Sequence, residues 1–123
     1  MAYNAYVLID KNNRLSFLDI LKELKKYSIN TITSNQGCIN IENYKFMLTF
    51  NEESYVEEEA KDLLHGHKDV LVKSNFVPDN TRLEIHGEDD PNMDYFNDFL
   101  HIISKLAEHP SLLVYEQAGE EFI

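Results

Sequence analysis

The sequence predicts a single α+β domain spanning residues 1–123, with a largely antiparallel β-sheet packed against about three α-helices. Three observations lead to this fold class. Short runs rich in β-branched and aromatic residues recur along the chain and are separated by turn residues. Three other segments place their apolar residues at helical spacing. The chain has 123 residues, 43% of them hydrophobic, which is enough to bury one core.

The first part of the chain predicts a strand, a helix and three further strands. Residues 3–9 are a short apolar run that ends at a polar turn, as a buried strand would. Ser16 is a typical N-cap with Asp19 three residues later, so a helix should follow. Its apolar stripe comprises Phe17, Leu18, Leu21, Leu24 and Tyr27. Three strands are predicted next, at residues 29–34, 38–42 and 44–50.

The middle of the chain predicts a second helix and two strands. This helix should begin near Ser54, where Glu57 completes a capping box, and run to about Leu64, with Gly66 ending it. Its inward residues are Val56, Ala60, Leu63 and Leu64. The two strand-like runs lie at residues 69–73 and 82–86, on either side of a loop at 76–80.

A third helix is predicted between two prolines. Asp90 and Pro91 supply an N-cap and a first-turn proline, and Pro110 stops the helix. At about 100° per residue, its apolar residues fill one half-circle: Met93, Tyr95, Phe96, Phe99, Leu100, Ile102, Ile103, Leu106 and Ala107. Such a helix should lie across the sheet. A last strand at residues 112–115 and a short return ending at Phe122 complete the predicted fold.

Negative charge is concentrated in the second part of the chain. Residues 1–50 carry six Lys/Arg against four Asp/Glu, and residues 51–123 carry five against eighteen, so the net charges are +2 and −13 and sum to −11. Such a field attracts a basic partner and speeds encounter with it. It disfavours nucleic acid, because binding to phosphates depends on Lys and Arg. The pI near 4.7 also argues against anionic membrane surfaces.

Cysteine content and hydropathy predict a cytosolic protein. Cys38 is the single cysteine, so we expect no intramolecular disulfide and a buried, inert thiol. The first residues contain neither the basic nor the apolar region of a signal peptide. No apolar run approaches the roughly 18 to 20 residues needed to cross a bilayer, and no lipidation motif is visible.

Two clusters contain the residue types of metal or acid/base sites. The first, whose residues suit zinc or iron, comprises His65, His67, His86, Glu88, Asp89 and Asp90. Its spacing is unlike that of paired ligands on one helix or strand, so a helix C-terminal cap with solvated histidines is favoured. The second cluster shares one helix face and comprises Asp94, Asp98 and His101, which is also the pattern of a solvated face. Without a nucleophile or a Gly-rich phosphate loop, we expect no enzyme, no cofactor and no metal.

Three segments carry a resemblance to a known family: RLEI at 82–85, GEDDPNMDYFNDFL at 87–100 and YEQAGEEFI at 115–123. They resemble small bacterial immunity proteins of polymorphic-toxin and contact-dependent growth inhibition systems, over about the last third of the chain. The resemblance implies a cytosolic antitoxin that binds the C-terminal toxin domain delivered by a sibling cell, often a basic nuclease, and blocks its active site or substrate entry. It carries over no individual contact residue, because such families diverge at the interface.

Charge and resemblance together predict a non-catalytic inhibitor of a cognate, basic, nuclease-type toxin domain. Acidic side chains on a rigid helix mimic phosphate and associate quickly with a basic cleft. The first group of predicted contacts surrounds the third helix and comprises Glu88, Asp89, Asp94 and Asp98. The second group lies on the second helix and comprises Glu57, Glu58 and Asp62.

Two other function classes stay open from the residues alone. A small cytosolic enzyme or ligand-binding domain would hold His86 with Asp94 or His101 in a deep pocket between the sheet and the helices. A subunit of a homo-oligomer would use aromatic residues, rather than acids, for its contact. A continuous convex acidic surface would instead favour the inhibitor.

Overall fold

The computed structural model describes residues 2–69 and 75–123. Within these residues it confirms the predicted class: three helices pack on a seven-stranded antiparallel sheet. The strands are β1 (Tyr3–Asp10), β2 (Ser28–Thr33), β3 (Gln36–Ile41), β4 (Tyr44–Asn51), β5 (Pro78–Gly87), β6 (Leu112–Glu116) and β7 (Glu121–Phe122). The helices are α1 (Phe17–Glu23), α2 (Val56–Gly66) and α3 (Phe96–Ala107). None of the helices in the described ranges is long and apolar enough to cross a bilayer.

The strand order is β2-β3-β4-β5-β1-β6-β7, and each neighbouring pair is antiparallel. β1 therefore lies inside the sheet, between β5 and β6. Its first residue, Tyr3, is level with Gly87 of β5, which in turn is level with Phe46 of β4. Ala5 pairs with Glu116 of β6. One end of the sheet therefore contains the first residues of β1 and β4 and the last residues of β3, β5 and β6.

The two faces of the sheet bury different apolar residues. α1 and α3 pack on one face over the main core, whose buried side chains include Tyr3, Val7, Phe46, Leu48, Leu83, Ile85, Phe99 and Ile102. α2 packs on the opposite face over a smaller cluster, which comprises Leu8, Ala60, Leu64, Phe76 and Leu113. Successive residues of a strand point to opposite faces, which is why the neighbours Val7 and Leu8 belong to different layers.

α1 begins as predicted, and four of the five residues of the predicted stripe pack on the main core: Phe17, Leu21, Leu24 and Tyr27. Ser16 Oγ accepts a hydrogen bond from the Asp19 N–H at 3.1 Å, and the Asp19 carboxylate accepts one from the Ser16 N–H at 3.0 Å, which confirms the capping box. The buried residues of this segment are Phe17, Ile20 and Leu24. Leu18 is 65% exposed, so its predicted place in the stripe is wrong. It lies about 100° around the helix from Phe17 and points away from the sheet.

α2 lacks the predicted cap. It begins at Val56, and its N-cap residue, Tyr55, makes no side-chain capping hydrogen bond. The predicted capping box of Ser54 and Glu57 is therefore wrong. A backbone turn starts the helix instead, since the Val56 N–H donates to the Glu53 carbonyl at 3.1 Å. The predicted inward side chains are buried or half-buried, namely Val56, Ala60, Leu63 and Leu64.

α3 begins later than predicted, at Phe96, so the placement of Asp90 and Pro91 at its N-terminus is wrong. Both residues lie in the preceding loop. The Asp90 carboxylate closes a turn of that loop by accepting hydrogen bonds from two backbone N–H groups, those of Asp94 at 3.1 Å and Tyr95 at 2.8 Å. Met93, with φ at 57°, interrupts the helical backbone before Phe96.

The strand before α3 is longer than predicted. The strand expected at residues 82–86 is the central part of β5, which starts at Pro78, so the loop expected at 76–80 lies partly in a strand. Proline is tolerated as the first strand residue, where its missing N–H costs no central ladder bond. Residues 70–73 of the strand predicted at 69–73 lie outside the described residues. The remaining predicted strands are confirmed, within a few residues, as β1, β2, β3, β4, β6 and β7.

Candidate functional site

The antiparallel topology brings three connections to one end of the sheet. The β3–β4 turn, the β5–α3 loop and the β6–β7 turn all leave the sheet at the end where Tyr3 and Gly87 pair. The first turn of α3 follows the β5–α3 loop at this same end. These segments and their flanks carry nine carboxylates, which we call the acidic end: Glu42, Glu88, Asp89, Asp90, Asp94, Asp98, Glu116, Glu120 and Glu121.

Asp90 fixes the backbone of the acidic end. It is only 4% exposed, and its carboxylate accepts the Tyr3 hydroxyl at 2.6 Å in addition to the two loop N–H groups. Burial disfavours the ionised carboxyl, but the three hydrogen bonds outweigh burial and hold the pKa of Asp90 below its usual value. The loop is therefore tied to β1, and its other carboxylates project from a fixed backbone.

Two stacked tyrosines lie among these carboxylates. The ring centroids of Tyr44 and Tyr95 are 4.6 Å apart with an interplanar angle of 13°, and the Tyr44 hydroxyl donates to the Glu88 carbonyl. Burial raises the pKa of Tyr44 to about 12, together with the negative charges of Asp90, Glu88 and Asp89. Burial also raises the pKa of Tyr95, together with the charges of Glu42, Asp94, Asp90 and Asp98. Carboxylates from two connections and from α3 thus act on one aromatic pair.

The first group of predicted contacts, Glu88, Asp89, Asp94 and Asp98, does come together at the acidic end. The predicted helical face shared by Asp94, Asp98 and His101 is wrong, because Asp94 lies in the turn before α3. Among the described residues, no lysine or arginine forms an ion pair with Asp94 or Asp98. The Glu88 side chain is 81% exposed and lies 3.6 Å from His86 Nε2.

The second group of predicted contacts lies elsewhere. Glu57, Glu58 and Asp62 belong to α2, on the opposite face of the sheet, and the first turn of α2 lies beside Lys11 at the other end. Glu57 lies 3.1 Å from the Lys11 amine and 4.0 Å from the Lys61 amine, and Glu58 lies 3.7 Å from Lys61. The hydrogen bond from Lys11 lowers the pKa of Glu57. The two predicted groups are therefore not one surface.

A further acid of α2 has a structural role. The Arg82 side chain is 3% exposed beneath α2, and its guanidinium donates to the carboxylates of Glu59 and Glu84, each at 2.7 Å. The guanidinium carbon also lies 3.8 Å from the centroid of the Tyr6 ring. These contacts connect α2 to β5 and β1.

The histidines of the first predicted cluster make separate contacts in the described part of the chain. His67 Nδ1 lies 2.9 Å from the Leu63 carbonyl oxygen, which confirms the predicted helix C-terminal cap for this residue, and Nε2 lies 3.1 Å from the Glu120 carbonyl oxygen. His86 Nδ1 lies 2.7 Å from Asn4 Oδ1. In residues 2–69 and 75–123, no three His, Cys, Asp or Glu side chains are placed to hold one metal ion.

The pocket expected for an enzyme is not formed by the residues named for it. His86 lies on the sheet face opposite α3, whereas Asp94 and His101 belong to the loop and the helix on the α3 side. Cys38 is a buried free thiol, 5% exposed, as predicted.

An apolar groove opens beside the acidic end, between α3 and the β6–β7 hairpin. Its volume is about 340 Å³, and its lining includes Tyr3, Phe99, Leu100, Glu116 and Ile123. Leu100, which was predicted to face the core, is 36% exposed, and Ile123 is 47% exposed. Both walls of the groove therefore contain an apolar side chain that is exposed to solvent.

No family model, curated protein or solved structure shows significant similarity to this chain. The resemblance to immunity proteins therefore stays a hypothesis. The three segments that carry the resemblance contain eight of the nine carboxylates of the acidic end, all except Glu42.

Five members of the acidic end were not among the predicted contacts. Asp90 was predicted as a helix N-cap, and the other four were missed altogether: Glu42, Glu116, Glu120 and Glu121. Each lies in or beside a turn between two strands, where an acid is ordinarily taken for a solvated turn residue. Their grouping depends on β1 lying between β5 and β6, a long-range pairing that local patterns do not encode. A topology prediction would have found them, because connections that leave the same end of an antiparallel sheet become neighbours.

Proposed function

We propose that this protein is a non-catalytic immunity protein that binds the basic, nuclease-type C-terminal domain of a cognate toxin in the cytosol. In this proposal the acidic end covers the active site of the toxin or the entry path of its substrate. The observation that carries the proposal is the gathering of carboxylates from three connections and α3 at one end of the sheet.

The chemistry of the partner follows from charge. A nuclease binds phosphates through Lys and Arg, so its cleft is basic. Carboxylates held on a fixed backbone present complementary charge, which steers encounter and raises the association rate. Asp94 and Asp98 form no ion pair with a lysine or arginine in the described part of the chain, so they are available to pair with Lys and Arg of the partner. Asp90, in contrast, is needed to hold the loop.

The stacked tyrosines support a protein partner. Tyrosine is enriched at interfaces because its ring and its hydroxyl suit apolar and polar contacts at once. Tyr95 is half-buried beside Asp94 and Asp98, so its ring and these carboxylates belong to one surface. An apolar and aromatic centre within an acidic rim is an arrangement that fits a basic protein surface.

The experiment is co-expression with the C-terminal domain of the protein encoded immediately upstream. We expect that domain to be toxic alone, and we expect this chain to restore survival and to co-purify with it. The double variant Asp94→Lys/Asp98→Lys should rescue poorly. Glu58→Lys/Asp62→Lys on α2 is the matched control, because it changes the net charge by the same amount, and it should rescue like the wild type. Absence of both toxicity and complex formation would contradict the proposal.

A further inference from the structure

The groove between α3 and the β6–β7 hairpin is apolar at its base and acidic along one wall. The buried rings of Tyr3 and Phe99, with centroids 4.9 Å apart, form its base. Leu100 on α3 and Ile123 after β7 contribute exposed apolar carbon to the two walls. Glu116 also lines the hairpin wall, as does Glu121.

The hairpin wall is rigidly built. The Glu116 carboxylate accepts hydrogen bonds from the Ala118 N–H at 3.1 Å and the Gly119 N–H at 2.5 Å. A Cβ at position 119 would lie 2.7 Å from Glu116 Oε2, so a larger residue there would displace this carboxylate from its two N–H donors. The Ile123 N–H donates to the Val114 carbonyl at 3.0 Å and holds Ile123 against β6. A groove that is already formed loses little conformational entropy when it is filled.

The size of the groove limits its occupant. Its volume of about 340 Å³ lies near the lower limit of ligand pockets, which span roughly 300 to 1,000 Å³. One large side chain with part of a neighbouring residue fits such a space. An apolar occupant would remove both Leu100 and Ile123 from water, which is favourable in proportion to the apolar area buried.

We infer that this groove receives an aromatic or long aliphatic anchor side chain of the toxin domain, flanked by a lysine or arginine. The anchor is apolar because the base and both walls of the groove present apolar side chains. Its neighbour is cationic because the carboxylates of Glu116 and Glu121 line the hairpin wall. This inference rests on the proposed function and supplies the chemistry of one anchoring contact beside the acidic end. Anchors buried at the centre of an interface carry most of the binding free energy, while rim charges act mainly on encounter.

The test measures association and dissociation rates of the purified complex with an inactivated form of the upstream-encoded toxin domain. The double variant Leu100→Gln/Ile123→Gln changes two exposed side chains, so the fold should be kept, and circular dichroism melting checks this. We expect the dissociation rate to rise by about tenfold or more, with an association rate within about twofold of the wild type. Leu18→Gln on α1 is the matched control: an exposed leucine outside the groove whose replacement should change neither rate.

The outcomes separate the two proposals. If the wild-type chain does not bind the toxin domain, the proposed function is wrong and the groove inference fails with it. If the wild type binds and the groove variant dissociates like Leu18→Gln, only the groove inference is overturned. The groove inference is also overturned if the free chain dimerises in sedimentation and the groove variant abolishes the dimer, since the occupant is then a second copy.

Discussion

The acids of α2 and those of the acidic end differ in what their carboxylates contact. On α2, Glu57 and Glu58 lie near lysines, and Glu59 holds the buried guanidinium of Arg82. At the acidic end, Asp90 holds the loop, while Asp94 has no lysine or arginine partner among the described residues. An acidic run in a sequence is therefore weak evidence for a binding surface until its neighbours in the fold are known.

This difference predicts that the largest effect of a charge change on stability lies beneath α2, at Arg82 of β5. Arg82→Ala should have the largest effect, lowering the free energy of unfolding by about 3 kcal/mol, because it leaves Glu59 and Glu84 without their buried partner. Guanidinium denaturation measures this change. Binding of the toxin domain by the folded variant should stay within about twofold of the wild type. A loss below about 1 kcal/mol would show that the contacts of Glu59 and Glu84 with Arg82 are not structural.

Acid pH should weaken the loop of the acidic end. The pKa of Asp90 is lowered in the folded state, so its contribution to stability is fully present above the unfolded value of about 3.9 and is lost as the pH falls through the folded pKa. Asp79, hydrogen-bonded to Thr81 and Arg14, has a lowered pKa despite its burial and acts in the same direction. Between pH 7 and pH 3, the free energy of unfolding should therefore fall less in Asp90→Asn than in the wild type, as measured by denaturant unfolding at each pH. Equal losses in both proteins would contradict the assigned role of Asp90.

Rising pH should weaken the contact between the end of α2 and the β6–β7 turn. Both ring nitrogens of His67 face carbonyl oxygens, those of Leu63 and Glu120, which raise the pKa of His67. The protonated ring donates two hydrogen bonds and the neutral ring only one. The contribution of His67 is thus fully present below the unfolded pKa of about 6.5 and is lost as the pH rises through the folded pKa. An NMR titration that places His67 at or below 6.5 would contradict this.

The smallest effect is expected at the exposed pair on α2. Glu58→Gln removes a carboxylate that is 76% exposed and 3.7 Å from the Lys61 amine. Exposed pairs of this kind contribute little, so the free energy of unfolding should change by less than about 0.5 kcal/mol. Binding of the toxin domain should be unchanged, as measured by calorimetry. A large loss of affinity would instead move the binding surface to α2.

Local patterns in the sequence predicted most elements of the fold and missed how they are arranged. The capping box of Ser16 and Asp19 was found because all of its signals lie within four residues. The start of α3 was missed because Asp90, although a good N-cap residue, closes a turn of the preceding loop instead. Its carboxylate also accepts a hydrogen bond from Tyr3, which is remote in sequence. The acidic end was predicted only in part for the same reason: Glu42 and Glu120 join it through strand pairings that are remote in sequence.

In the proposed function, the acidic end, and not α2, steers a basic partner. Stopped-flow association with the inactivated toxin domain, measured over a range of salt concentrations, tests it most directly. We expect Asp94→Lys/Asp98→Lys to slow association roughly tenfold at low salt and to flatten its salt dependence, while Glu58→Lys/Asp62→Lys should have a clearly smaller effect. Equal slowing by the two variants would mean that net charge alone steers encounter, and slowing by the α2 variant alone would place the interface on the opposite face of the sheet.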